Sequence, residues 1–367
     1  MKRRALAGGE RIDWLRLSRT RGIGPITFFH LLERYGAAAD VLADLPALAK
    51  KAGGKAEIKA PSADDIKREV DAALKIGASH IAAFEPEYSA CLAAIDAPPP
   101  VIAVRGRRDL LNQPSIAMVG ARDASAAGRR MARDLARDLG HAGYVVVSGM
   151  ARGVDGEAHA AAMETGTVAC IAGGIDQIYP PQHDQLYVLL AERGCLVSES
   201  PLGYVAQARD FPKRNRVISG LSLGTIVVEA AERSGSLITA RFALEQGREV
   251  MAVPGSPLDP RCRGANRLIK QGAALIESVE DVMQAMQGIS APSFEEPFSG
   301  RFDARDADVP PALLRAVREA LSPTPMRVEE IARAVDAPHR LVLAALAELE
   351  LAGQATTHVG GTASQAV

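Results

Sequence analysis

The feature that most restricts the fold is a rhythm. From about residue 101 to 287, the short apolar runs "SIAMVG", "YVVVSG", "TVACIAG", "CLVSES", "GTIVVEA" and "EVMAVPG" alternate with helical stretches. In one of these, "AGRRMARDLARDLGHAG", Met131, Leu135 and Leu139 recur at spacing four. Unbroken apolar runs suit strands covered on both faces, as in a parallel sheet. Strand and helix in alternation predict a doubly wound parallel α/β sheet.

The flanks have a different texture. Residues 10 to about 95 read as short helices. In "IDWLRLSRTRGIGPITFFHLLERYG", Trp14, Leu15 and Leu17 precede the turn Gly22-Ile23-Gly24-Pro25, and Phe28, Leu31 and Leu32 follow at helical spacing. Two readings are open: an ordinary helical hairpin, or a helix-hairpin-helix whose loop amides meet a DNA phosphate. Residues 288–310 carry proline, serine and charge without periodicity and read as a linker. "ALLRAVREAL", "RVEEIARAV" and "HRLVLAALAELELAG", followed by "QATTHVGG", give three helices and a small hairpin, the pattern of a winged helix. Its third helix begins with His339 and Arg340 but ends with Glu348 and Glu350. A groove-reading helix presents cations and amides, so this one suits protein contact or packing better. The expected organisation is a helical (helix-hairpin-helix or SAM-like) domain over 1–95, a Rossmann-like domain over 96–287, a linker over 288–310 and a winged helix over 311–367.

Composition narrows the function. Of 367 residues, 47% are hydrophobic and 24% charged, near the averages for globular chains, and the net charge of −1 argues against coating nucleic acid with the whole surface. An anion site must be local. Cys91, Cys170, Cys195 and Cys262 include no C-x-x-C pair, so neither zinc nor a disulfide framework is expected. The opening "MKRR" is not followed by an apolar run long enough for a signal peptide, and no segment has the length of a membrane span. These features predict a cytoplasmic chain with no membrane partner.

Ligands of open parallel sheets sit beyond the carboxyl ends of the strands. After "SIAMV" comes "GARDASAAG", where Arg122 projects a cation and Ser125 can cap the next helix or donate to a phosphate. After "YVVV" comes "SGMARGVDGEAHAAA", where Gly149 and Gly153 let backbone amides approach an anion. Neither loop matches G-x-G-x-x-G or a Walker P-loop, which disfavours a dinucleotide or ATP cofactor. Asp155, Glu157 and His159 invite a metal or acid/base reading, against the alternative that Asp155 stabilises a helix start while His159 packs beneath. Tyr179 is open as either a stacking surface or a packed anchor.

The stretch "RDFPKRNR" has a local charge of +3, from Arg209, Lys213, Arg214 and Arg216 against Asp210. Pairing of Arg214 or Arg216 with Glu199 or Glu229 would absorb one cation but not all of them. With Phe211 alongside, the cluster offers a ring for a base face and cations for a backbone, the requirements of a single strand.

"SGMARGVDGEAHAAA", "GGIDQIYPPQHDQL", "SESPLGYVAQARDFPKRNRVISGLSLGTIVVEAAERSGSLITARFALEQGREVMAVPG" and "GANRLIKQGA" occur in fixed order over about 100 to 280. In these motifs the sequence resembles the DprA/Smf family, the DNA-processing proteins of bacterial natural transformation. The resemblance implies a protein without catalytic activity that binds and protects single-stranded DNA, loads the recombinase RecA onto it and dimerises through the sheet domain. Carried over by motif, Arg122, Gly149, Phe211, Lys213, Arg214 and Asn215 would form the strand pocket. Ser125, Arg152 and Arg216 complete the candidate set, with no metal or cofactor. One departure is Ala127, where the family usually has an aromatic residue.

An enzymatic alternative comes from "GLSLGTIVVEA" with its upstream Arg-Asn-Arg, which distantly resembles Rossmann-like nucleoside-phosphate hydrolases. Arg216 and Glu229 would then act on the sugar of a nucleotide. Leu221 and Ser222 replace the first glycines of that pattern. A third reading, a duplex-binding regulator acting through the winged helix, is disfavoured by the acidic third helix.

Overall fold

The computed structural model describes residues 4–51, 58–290, 309–358 and 361–366. The chain divides into two compact units, one spanning Glu69–Glu295 and the other combining the residues up to Arg68 with those from Glu296 onward.

The N-terminal residues form four helices, α1 (Gly8–Ser18), α2 (Pro25–Tyr35), α3 (Ala38–Lys51) and α4 (Ala63–Lys75). Trp14, Phe28 and Phe29 pack edge to face, with ring centroids 5.1 to 6.4 Å apart. This is the geometry that the ring quadrupoles favour. Pro25 starts α2, where its missing N–H costs nothing.

The larger unit is a nine-stranded sheet. Along the chain come β1 (Ala78–Ala82), α5 (Ala90–Ala93), β2 (Val101–Gly106), β3 (Ser115–Val119), α6 (Ala126–His141), β4 (Val145–Ser148) and α7 (Val154–Ala161). There follow β5 (Thr167–Ile171), α8 (Asp184–Arg193), β6 (Cys195–Ser198), α9 (Asp210–Gly220), β7 (Gly224–Val227), α10 (Gly235–Glu245) and β8 (Glu249–Ala252). The unit ends with α11 (Arg263–Lys270), β9 (Ala274–Leu275) and α12 (Val279–Ala285). The strand order is β1-β2-β6-β5-β4-β3-β7-β8-β9. From β6 to β9 every pairing is parallel, as the apolar runs require. The chain winds outward from β3 in one direction through β4, β5 and β6, then crosses to β7 on the other side. Such a reversal leaves a crevice at the carboxyl ends of the central strands.

One expectation needs correction. Residues 78–95 do not belong with the N-terminal helices, because β1 pairs antiparallel with β2, which pairs antiparallel with β6. The core therefore starts earlier, and one edge of its sheet is antiparallel. "ASHIA" is five residues with polar members, too short and mixed to stand out as a strand. The stretch "FPKRNRVISG" lies in the helix α9, with Asp210 in its first turn. Most of the linker expected at 288–310 lies outside the described residues.

At the C-terminal end are α13 (Pro311–Ala320), β10 (Met326–Arg327), α14 (Val328–Ala334), α15 (His339–Leu351), β11 (Ala355–His358) and β12 (Thr362–Gln365). The three helices close over a three-stranded antiparallel sheet around Leu314, Val317, Ile331, Val342 and Leu346, the architecture of a winged helix.

Candidate nucleic-acid interface

Helix α9 brings the cation cluster to the crevice and then sorts its members by face. A helix turns about 100° per residue, so Phe211, Arg214 and Asn215 share one side. Lys213 points to solvent, while Arg214, Asn215 and Arg216 are buried.

Arg214 is 9% exposed. Its Nη1 donates to the carbonyl oxygens of Gly149, at 2.5 Å, and of Cys170, and its Nε donates to Asn215 Oδ1 at 3.3 Å. The guanidinium thereby ties the carboxyl ends of β4 and β5 together. Its Nη2 has no hydrogen-bond partner among the described residues, and the side chain lines the pocket above it. One edge of the guanidinium is structural, and the other is a donor open to a ligand.

The buried Asp155 backs this cation. Its Oδ2 accepts from the N–H groups of Gly149 at 3.1 Å and Ala151 at 3.3 Å. Burial raises the Asp155 carboxyl against the opposing pull of Arg214, and burial lowers Arg214 in turn. Gly149 lies between the two groups; a Cβ there would stand 2.9 Å from the guanidinium carbon and 2.9 Å from Asp155 Oδ2. Met150 follows in the left-handed region at φ 58°, a conformation that a non-glycine residue holds only when its surroundings fix it.

Above Arg214 the walls are aromatic and cationic. Phe211 and Tyr179 have ring centroids 5.2 Å apart, and Tyr179 is 50% exposed. The guanidinium carbons of Arg122 and Arg214 lie 5.6 and 6.0 Å from the Phe211 centroid. Tyr179 thus both packs on Phe211 and offers an open ring. These residues, with Gly149, Arg152 and Gln177, enclose a pocket of about 300 Å³. A wider groove of about 880 Å³ shares Arg122, Tyr179, Phe211 and Arg214 and also takes in Asn215, Arg233 and Arg261. Exposed Arg152 sits 3.6 Å from Asp123 on the rim.

The other candidates lie elsewhere. Ser125 caps α6 by accepting from Gly128 N–H at 2.9 Å, and its hydroxyl and N–H both donate to Glu229, at 2.5 and 2.9 Å. The anion at the start of α6 is therefore the chain's own carboxylate. Arg216 donates to the Ala97 carbonyl and, at 2.5 and 2.6 Å, to both oxygens of Glu199. Arg216 and Glu229, the pair required by the hydrolase alternative, have different partners. Lys213 lines neither cavity.

His159 lies beneath the site. Its Nδ1 is 2.7 Å from Thr167 Oγ1, whose hydroxyl donates to the Val146 carbonyl, so the imidazole proton belongs on Nδ1. Burial depresses its pKa to about 3. Among the described residues no cluster of His, Cys, Asp or Glu could hold a metal ion. Sequence reasoning missed the Asp155 clamp and the groove cations Arg233 and Arg261. A carboxylate six residues after a glycine that ends a strand was the available signal for the first; neither arginine stood out.

Fold and site together define a doubly wound α/β protein with a small-volume, cation-floored and aromatic-walled pocket at its switch point. Three family models cover the chain in order: a DprA-like N-terminal HHH domain over 8–72, DNA recombination-mediator protein A over 79–287 and a DprA winged helix domain over 303–361. Protein Smf of Escherichia coli is 42% identical over 274 residues, covering 72% of this chain and 71% of its relative. DNA processing protein DprA of Bacillus subtilis is 43% identical over 225 residues, 60% of this chain and 75% of its relative. The solved DprA of Streptococcus pneumoniae superposes with a TM-score of 0.64 at 32% identity, covering 79% of this chain and 99% of that one. DNA processing protein A of Helicobacter pylori, described for its single-stranded DNA binding mode, gives 0.52 at 26% identity, covering 57% and 95%. The chain belongs to the DprA/Smf family of DNA-processing proteins.

Proposed function

We propose that this chain binds and protects single-stranded DNA through the α9 pocket and loads RecA onto it during DNA uptake and recombination, without catalysis or a cofactor. The observation that carries this reading is the Phe211 ring flanked by two guanidinium groups and a half-exposed tyrosine. A base stacks on such a ring at about 1 to 3 kcal/mol whatever its identity, and cations in the same pocket take the phosphates. Arg122, Arg152 and the free edge of Arg214 are the cations in place for that task. Arg216 and Ser125 act indirectly, by holding α9 and α6.

A homodimer through the sheet unit would place two pockets on one strand and raise avidity where the geometry allows. Leu275 on edge strand β9 and Met283 on α12 are among the exposed apolar side chains of this unit that such a contact would cover. Cytoplasmic action agrees with this role, and no described helix is long and apolar enough to cross a membrane.

The test is fluorescence anisotropy with labelled oligothymidylate and an equal-length duplex, for wild type and Arg122→Glu. Tight single-strand binding that collapses in the variant supports the reading. Equal binding by both proteins, or a preference for duplex, overturns it.

A further inference from the structure

The acidic end of the winged domain's third helix, α15, is not idle. Within the smaller unit it meets the N-terminal hairpin. Glu348, with its side chain fully buried, accepts from Arg34 Nη1 of α2 at 2.8 Å. Glu350 accepts from the hydroxyl of Thr27, in the first turn of α2, and from the hydroxyl and N–H of Thr357 on β11, at 2.8 and 3.0 Å. The hairpin glycine Gly22, at φ +83°, lies against the backbone of the same residue; a Cβ there would stand 3.5 Å from the Glu350 carbonyl oxygen.

These contacts carry a specific electrostatic meaning. The N-terminus of α2, preceded by Gly22-Ile23-Gly24 and the exposed Arg21, has the partial positive charge and loop amides that take a phosphate in a helix-hairpin-helix. Here an anion of the chain already sits at that first turn, and the carbonyl end of α15 faces the amide end of α2. The two surfaces through which such domains ordinarily meet DNA, the hairpin and the third winged helix, are turned on each other.

We propose that the winged-helix domain masks the N-terminal hairpin, with Glu350 taking the place of a DNA backbone phosphate and the Arg34–Glu348 pair holding the clasp. In the closed form the smaller unit does not bind duplex DNA. Once the clasp parts, the hairpin loop accepts a phosphodiester of duplex DNA.

The experiment uses the full chain and two readouts, hydrogen exchange of the amides from 20 to 27 and anisotropy with a labelled duplex. Glu350→Ala and, separately, Arg34→Glu should speed exchange in the hairpin about tenfold. Glu350→Ala should also tighten duplex binding about tenfold, equal to ~1.4 kcal/mol, and the gain should vanish in high salt. The reciprocal variant Arg34→Glu/Glu348→Arg should restore slow exchange, which separates an opened clasp from a misfolded domain. Oligothymidylate binding should stay within about twofold of wild type, so this result does not depend on the α9 pocket. Unchanged exchange in both single variants overturns the clasp, and faster exchange without any gain in duplex affinity overturns the masking.

Discussion

Arg214 and Asp155 hold the same residue, Gly149, through its two flanking peptide groups: the carboxylate accepts from the Gly149 N–H, and the guanidinium donates to the Gly149 carbonyl oxygen. The loop after β4 is therefore held by this buried pair as well as by the packing of Met150 in the core. Both charges are desolvated, and each is offset by the other and by its hydrogen bonds to the loop backbone. The pocket floor is thus tied down by the chain's own groups.

Gly149→Ala should destabilise the core, because the added methyl group overlaps both members of the pair. The expected cost is about 1 to 3 kcal/mol, read as a lowered urea midpoint with an unchanged m-value. A midpoint equal to wild type would show that the clamp is loose.

Arg214 and Arg122 should separate folding from binding. Arg214→Ala leaves Asp155 buried without its countercharge, and should cost about 3 to 5 kcal/mol of stability. Exposed Arg122→Ala should change stability by about 0.5 kcal/mol or less yet weaken single-strand binding. Thermal melts run beside anisotropy decide this; equal melting losses in the two variants would contradict the division of labour.

Salt dependence should follow the sorting of cations on α9. Each phosphate neutralised adds about 0.7 to the slope of log affinity against log salt. Arg122→Ala should lower that slope by about this amount. Arg216→Ala should leave it unchanged, since Arg216 is engaged by Glu199. A reduced slope for Arg216→Ala would place that residue at the DNA.

His159 should make the core acid-sensitive. Its pKa falls from the ordinary 6.5 to about 3 in the folded chain, so between those values the unfolded state binds more protons. Stability should therefore decline as pH drops below 6.5, by up to about 1.4 kcal/mol per pH unit from this group. His159→Asn, which keeps a donor for Thr167, should flatten the profile over that window in pH-dependent urea titrations. An unaltered profile would mean that the imidazole is protonated in the fold.

Much of this was legible in the chain. "YVVVSG" and "TVACIAG" are too apolar for a half-wet strand, and regular helical spacers leave few alternatives to a wound parallel sheet. Phe211 and Arg214, neighbours in the sequence, do line one pocket. Less visible was β1, because five mixed residues at a sheet edge carry no strong pattern, and its antiparallel partner is about twenty residues away.

The sequence by itself determined that a wound sheet would form and that cations and an aromatic ring would cluster at one strand end, since apolar period and composition are local properties. Which cation reaches the pocket was decided only by the tertiary structure. Lys213, Arg214 and Arg216 stand within four positions of one another, yet one is solvated, one underpins the pocket and one is paired with Glu199. The same holds for Glu348 and Glu350, which meet Arg34 and Thr27 from more than three hundred residues away. The fate of a charge depends on burial and on partners from distant segments, and these exist only once the chain has folded.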